Sequence, residues 1–392
     1  MMVDLNKLGE DMRIARKFAV VAVLAASVAL AGCSLFSKDA PKNPPAKLVE
    51  FKESMPVRQV WRESIGKADD YTFSPALNGD SVIAASEDGS IIRIDAARGK
   101  VQWRISAGSN LTAGVGTDGN TIAVVGDKGQ VMAFDGDGKL RWKAQATSEI
   151  LSAPAVGNGV VIVRGVDNRI MGFDAASGEK RWNLPRAVPT LTLRSAPGIV
   201  IDGPLAYVGM PGGRLIALQT SNGVVRWEAA VGEPRGATEL ERVADVSGSP
   251  VVIGGEVCAV SYQGRIACFD TRTGNPRWTK NFSSTAGISV DERFVLAADD
   301  KGTVTALARD TGSSVWTNKT LGYRGLTTPA SFGRAVVVSD FEGFLHFLSR
   351  EDGAMLARRT IDGSPVTGSP LTYESNLIVQ THHGEIVAYA AD

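Results

Sequence analysis

Histidine and cysteine are scarce in this chain. Among 392 residues there are three of each: His346, His382 and His383, and Cys33, Cys258 and Cys268. So few imidazoles and thiols leave little material for a transition-metal site or for thiol chemistry. Net charge is also lacking. Forty-two basic residues balance 42 acidic ones, so no overall positive field exists to recruit nucleic acid. Helical periodicity is not sustained anywhere in the main body. There is no G-x-S-x-G nucleophile elbow. The glycine-rich "GMPGGR" at 209–214 falls in a hairpin and opens no helix, so it cannot cradle a phosphate. His382 and His383 share a turn without metal-ligand spacing, and Asp299–Asp300 and Asp135–Gly136–Asp137 read as turn residues rather than Ca²⁺ ligands. No catalytic, metal or cofactor residue is nominated on these grounds.

What is present begins with an export signal. Arg13, Arg16 and Lys17 precede a 14-residue run from Phe18 to Ala31 that is apolar except for Ser27. A membrane-spanning helix needs about 20 residues, so this run is a signal-peptide core. Met12 is an alternative start, because the eleven residues before it are foreign to such a signal. The run closes on Leu30-Ala31-Gly32-Cys33, which resembles a bacterial lipobox. The resemblance implies cleavage after residue 32 and lipid on Cys33. Ser34 stands where an Asp would signal inner-membrane retention, so outer-membrane delivery is expected. Residues 33–56 hold Lys, Pro and Ser, and their composition reads as a flexible tether. Cys258 and Cys268 flank a turn at Gln263-Gly264. That placement allows a cross-strand disulfide and equally two buried free thiols.

The rest of the chain repeats itself. A phrase ending in Trp recurs at Trp61, Trp103, Trp142, Trp182, Trp227, Trp278 and Trp316, with steps of 42, 39, 40, 45, 51 and 38 residues. An eighth copy, "LSREDGAMLA", carries Ala357 where Trp would fall. Each unit contains β-branched runs such as "SVIAAS" and "QVMAFD" joined by X-Gly turns, which are hairpin signals. Each is therefore expected to be a meander of four antiparallel strands. Four strands in about 40 residues is the period of a propeller blade. The sequence predicts an all-β, eight-bladed β-propeller over 57–392. The strand around Trp61 is expected to complete the last blade, so that no open sheet edge remains at the seam.

The phrase in Ile94-Asp95…Gly99…Trp103, Phe173-Asp174…Gly178…Trp182 and Phe269-Asp270…Gly274…Trp278 resembles the quinoprotein (PQQ-like) propeller repeat. In that family the Trp packs between neighbouring blades. The Asp becomes Gln219, Ala308 and Ser349 in other units, so it reads as turn bracing. Two families share the repeat. Quinoprotein dehydrogenases hold PQQ and Ca²⁺ over the channel, often beside two adjacent cysteines, which are missing here. The chain resembles more closely the BamB lipoproteins of the β-barrel assembly machinery, by its lipobox, its eight repeats and its length.

Two segments stand out: "PTLTLRSAPG" at 189–198 and "GATELERVADVSGSP" at 236–250. From Trp227 to Pro250 the step is 23 residues, against 12 to 15 in units such as 142–154 and 316–329. The excess predicts a long loop between blades, and long loops on a rigid scaffold tend to carry function. Leu191, Leu193 and Arg194 lie in one segment, and Glu239, Glu241, Arg242 and Asp245 in the other. Leucines beside mixed charges suit a protein interface. The plain alternative is solvated loops with the leucines tucked inward. In the BamB family a corresponding Leu, Leu, Arg and Asp dock on the POTRA domains of BamA; Ser247 stands where some members have a second Asp. The resemblance thus implies a non-catalytic scaffold on the periplasmic face of the outer membrane. Its partners would be BamA, other subunits of the machinery and unfolded outer-membrane clients, with exposed strand edges open to β-augmentation. The competing readings are a periplasmic PQQ-dependent oxidoreductase and a polysaccharide-binding propeller with an aromatic channel.

Overall fold

The computed structural model of the chain describes residues 43–193 and 197–391. The signal segment 1–32 and Cys33 lie outside the described residues, and so does Arg194. The compact body runs from Pro45 onward. Its described residues form thirty-two strands in eight four-stranded antiparallel sheets. Seven blades are built from consecutive strands; blade one, for example, is Ala76–Asn78, Ser81–Ala85, Ser90–Asp95 and Val101–Ser106. Blade eight takes Leu371–Tyr373, Asn376–Gln380 and Glu385–Ala391, and receives Val57–Ser64 as its outer strand. The eight-bladed fold and the expected closure are both observed.

The second strand of each blade reads as a continuous apolar run for a physical reason. Its side chains alternate between two neighbouring blades, so both faces are covered. Ser81–Ala85, Ile122–Gly126 and Ala335–Ser339 are buried at every position. Each packing layer therefore spans two blades. One layer joins Val82, Ala84, Ile92 and Ile94 of blade one to Ile378, Ile386 and Ala388 of blade eight.

The recurring phrase is a lock whose two halves belong to different blades. Trp142 donates its indole N–H to the Ala175 carbonyl, Trp182 to Thr220, Trp278 to Arg309 and Trp316 to Arg350. Trp61, Trp103 and Trp227 do the same with Ala96, Gly136 and Thr271. Each acceptor sits in the turn of the following blade, one residue past the Asp position. The turn glycine receives the incoming ring: a Cβ on Gly274 would stand 2.6 Å from Trp227 Cδ2, and the residue sits at φ +72°. Only glycine meets both conditions without strain. The Asp braces this turn as expected. Asp174 Oδ1 accepts the N–H groups of Ala176 and Ser177 at 2.9 and 2.8 Å. Those donors, Ser177 first, and Arg181 hold its carboxyl down to about 2. Burying an indole removes roughly 150–250 Å² from water, worth about 4–6 kcal/mol before entropy costs. A β-bulge recurs just before every Trp position, for example between Arg93 and Ile94 opposite Trp103 and Val101. Such a bulge re-aims the side chain that follows it.

Ala357 has a reason that its own phrase does not contain. A Trp there would need the third-to-outer-strand turn of blade eight. That blade has no such turn, because Glu385–Ala391 and Val57–Ser64 come from distant parts of the chain. Met55 and Val57 fill the space instead, in one cluster with Ala357 and Phe347.

The tether expectation changes at Ala46. From there to Met55 the chain is bound along the outside of blade seven. The Ala46 N–H donates to Gly322 at 2.8 Å, the Arg324 guanidinium donates to the Ala46 carbonyl at 3.0 Å, and the Ser54 N–H donates to Leu356 at 3.0 Å. Arg334 holds the Ser54 carbonyl and Arg359 holds Glu53, each at 2.7 Å. Composition missed this because the strap's side-chain partners are arginines 278 to 309 residues further along the chain. Cys258 and Cys268 face each other across adjacent strands and are disulfide-bonded. That closes the choice their placement left open.

Candidate functional site

Connections between blades and the turns between second and third strands share one face of the propeller. A cavity of about 830 Å³, the mouth of the central channel, opens there. Its wall is made of small and hydroxyl residues such as Ser74, Ser152, Ser249 and Thr328, with Tyr71 and Tyr262 as its aromatics. Among the described residues no cluster of His, Cys, Asp or Glu could hold a metal ion.

The two segments singled out by sequence meet on this face through one carboxylate. Asp245 is 3 % exposed. Its Oδ2 accepts the Leu193 N–H at 2.6 Å and its Oδ1 accepts the Gly212 N–H at 2.9 Å. Arg164 of blade three, also buried, faces it and donates to the Gly209 carbonyl at 3.0 Å. Asp245 thus ties together blade three, the 189–193 segment and blade four. Burial raises its carboxyl above the usual range, against the pull of the two N–H donors and Arg164. Burial likewise lowers the Arg164 guanidinium to about 10, with Asp245 opposing. We take the pair as charged, because two short N–H bonds and a facing guanidinium all favour the carboxylate. Asp245 is therefore not a surface contact, contrary to the sequence expectation. It holds Leu193, which is half-buried, while Leu191 is 46 % exposed.

The other charges of the second segment are exposed but bond within the loop itself. Thr238 and Glu241 form a capping box: Glu241 Oε2 accepts the Ala237 and Thr238 N–H groups, and Thr238 Oγ1 accepts the Glu241 N–H. Arg242 donates to the Gly236 carbonyl and pairs with Glu239 at 3.7 Å. These groups brace one turn and leave Leu240 at its tip, 70 % exposed. Sequence reasoning passed over Leu240. The T-x-x-E spacing was the signal that would have found it, since it assigns the charges to local bonds. Val166 and Val188 are exposed on the same face, in blade three and its connection to blade four. The 23-residue step is also resolved: 231–245 is loop, and the remainder lengthens the inner strand Val246–Ile253, which shifts register between Ser247 and Val251.

The repeat lock and the closed ring define the molecule as an eight-bladed propeller of the quinoprotein-like repeat class, carrying an apolar loop cluster on one face. A family described as "Outer membrane protein assembly factor BamB" matches residues 87–318. A protein of that description from Bordetella pertussis is 44 % identical over 383 residues, covering 97 % of this chain and 99 % of its own length. The crystal structure of BamB from Moraxella catarrhalis superimposes with a TM-score of 0.78 at 28 % identity, over 86 % of this chain and all of that one. Quinohemoprotein alcohol dehydrogenase from Comamonas testosteroni gives 0.67 at 13 % identity over 85 % of this chain and 76 % of its own, a likeness of fold alone. The chain belongs to the BamB family of outer membrane protein assembly factors.

Proposed function

We propose that the protein is a non-catalytic lipoprotein scaffold of the β-barrel assembly machinery. Cleavage after residue 32 and acylation of Cys33 anchor it to the periplasmic face of the outer membrane. The face bearing Leu191, Leu193 and Leu240 docks on the POTRA domains of BamA, Arg194 adds a positive charge to the contact, and Glu239, Glu241 and Arg242 brace the second loop. The other subunits and unfolded client barrels are then reached through BamA. The observation that carries this reading is the joining of the two connections by Asp245, which sets exposed leucines from neighbouring blade junctions on one rigid surface. Interface energy concentrates in such apolar centres. The relatives are named as assembly factors, whereas the dehydrogenases share only the propeller, which supports a scaffold over an oxidoreductase.

The test is co-purification from membranes. BamA should accompany the native protein. It should be lost when Leu191, Leu193 and Arg194 are all replaced by Ala, and reduced at least 30-fold by Leu240→Asp, the equivalent of a hot-spot loss of about 2 kcal/mol. Undiminished recovery with both variants would contradict the docking surface. Quinone absorbance and dye reduction after adding PQQ and Ca²⁺ would favour the oxidoreductase instead.

A further inference from the structure

The strap fixes where the chain leaves the propeller. A chain free up to Val57 would emerge beside blade eight. Instead Ala46 is held at the junction of blades six and seven, on the same face as the loop cluster but two to three blades around the ring. Gly322 is the centre of this exit point. A Cβ built on it would lie 3.8 Å from the carbonyls of Lys301 and Lys319 and 3.9 Å from the Ala46 Cβ.

Two large aromatics are exposed there, Tyr323 at 39 % and Phe341 at 42 %. Neither is a loosely held loop residue. Tyr323 sits at φ +55°, a left-handed conformation that costs a non-glycine residue about 1 kcal/mol or more, and its N–H donates to the Lys301 carbonyl at 2.8 Å. The Phe341 N–H donates to the Arg324 carbonyl at 3.1 Å, and the Arg324 guanidinium lies 5.1 Å from the centre of the Phe341 ring. That guanidinium is itself locked by Asp340 at 2.6 Å and by Glu342. The Phe341 ring is therefore backed by a frame built on the buried Arg324–Asp340 pair. Lys47, Lys301, Lys319 and Val49 are exposed around the two rings, together with the acids Glu50, Asp300 and Glu342. Aromatic rings with lysines at their margin are the composition that sits at a lipid–water boundary, rings at the headgroup level and ammonium groups toward phosphate.

We propose that this rim, around Ala46, Tyr323 and Phe341, rests against the lipid surface. The inference depends on acylation of Cys33. From Cys33 to Ala46 there are only the 12 residues Ser34 to Pro45, which span at most about 45 Å however they are arranged. The strap removes the slack that eleven further residues would add. The exit rim is thus the part of the propeller whose distance from the bilayer the tether bounds most tightly, while Leu191 and Leu240 stay a quarter-turn or more around the ring, available to a partner.

The test uses the full lipoprotein purified from membranes and bound to phosphatidylethanolamine–phosphatidylglycerol vesicles. With Cys33 acylated and Cys258–Cys268 bonded, an introduced cysteine is the free thiol for an environment-sensitive fluorophore. Labels on Y323C and F341C should be quenched by headgroup-level nitroxide lipids at least twofold more than labels on L140C and V224C, which lie at the opposite rim. Equal quenching at all four sites, in protein that carries the acyl mass and floats with the vesicles, overturns the proposal and leaves the anchoring reading intact. So does protection at 323 and 341 only when the assembly machinery is present, which would make the rim a protein contact. Protein that lacks the acyl mass or fails to float refutes the anchoring reading and this proposal with it.

Discussion

Replacing Asp245 by Ala separates a brace from a contact. The substitution removes the acceptor for the Leu193 and Gly212 N–H groups and leaves Arg164 buried without its countercharge. A hydrogen bond to a charged group contributes about 1.5–3 kcal/mol, and an orphaned buried charge costs about 3–5 kcal/mol. These effects overlap, so about 3 kcal/mol is a fair size for the local loss. If the two amides exchange by local opening, their protection should fall on the order of 100-fold, at about 1.4 kcal/mol per tenfold. Hydrogen exchange measured on peptides spanning 189–193 and 211–214 reads this directly. Arg164→Met added to Asp245→Ala should restore part of the protection, because it removes the unpaired cation. Partner affinity should fall in proportion to the lost protection. Unchanged protection at both amides, together with a lost partner, would refute the reasoning and make the carboxylate itself the contact.

Three further outcomes follow from the packing. Gly274→Ala should lower the thermal midpoint by the equivalent of at least 2 kcal/mol more than Gly333→Ala: both sit at positive φ, but only the first drives a Cβ into Trp227, while nothing lies within 4 Å at Gly333. Exchanging Cys258 and Cys268 for Ala should cost about 2–3 kcal/mol in denaturant unfolding, the loop entropy of a link across 10 residues, and reductant should destabilise only the native protein. His346 is wholly buried; its Nδ1 faces the Arg358 Nε–H at 3.3 Å, so the ring proton lies on Nε2 and donates to Asp340 at 2.8 Å. Burial lowers this imidazole, with Arg358 and Arg324 adding and Asp340 opposing, so the unfolded chain accepts a proton that the folded one refuses. Stability should then be lost as pH falls below about 6.5, and His346→Gln should flatten the change in urea midpoint between pH 7 and 5.

The fold was legible because each blade restates its grammar. Trp spacing counted the blades, and the placement of Trp61 foretold the closure. Pairings between distant residues were not legible. Gly274 and Trp278 share a phrase, yet the glycine serves Trp227 of the preceding blade. Ala357 stands where a Trp would fall, and only the missing turn of the closing blade accounts for it. The site was half legible. Spacing located the two loops, but not how their polar groups are bonded: Glu241 and Arg242 stay exposed and brace their own turn, Asp245 is buried, and Leu240 at the tip drew no notice. Periodicity reports where a residue lies along a strand. It does not report which polar groups a loop satisfies within itself.

The central claim is that the face bearing Leu191 and Leu240 docks the assembly machinery. The most direct measurement places a photo-crosslinking residue at 191 or 240, and for comparison at 140 or 224 on the opposite rim, and irradiates intact cells. The account predicts a crosslink to the POTRA region of BamA from 191 and 240 and none from 140 and 224. Crosslinks to BamA from 140 and 224 alone, or from no position, would contradict it.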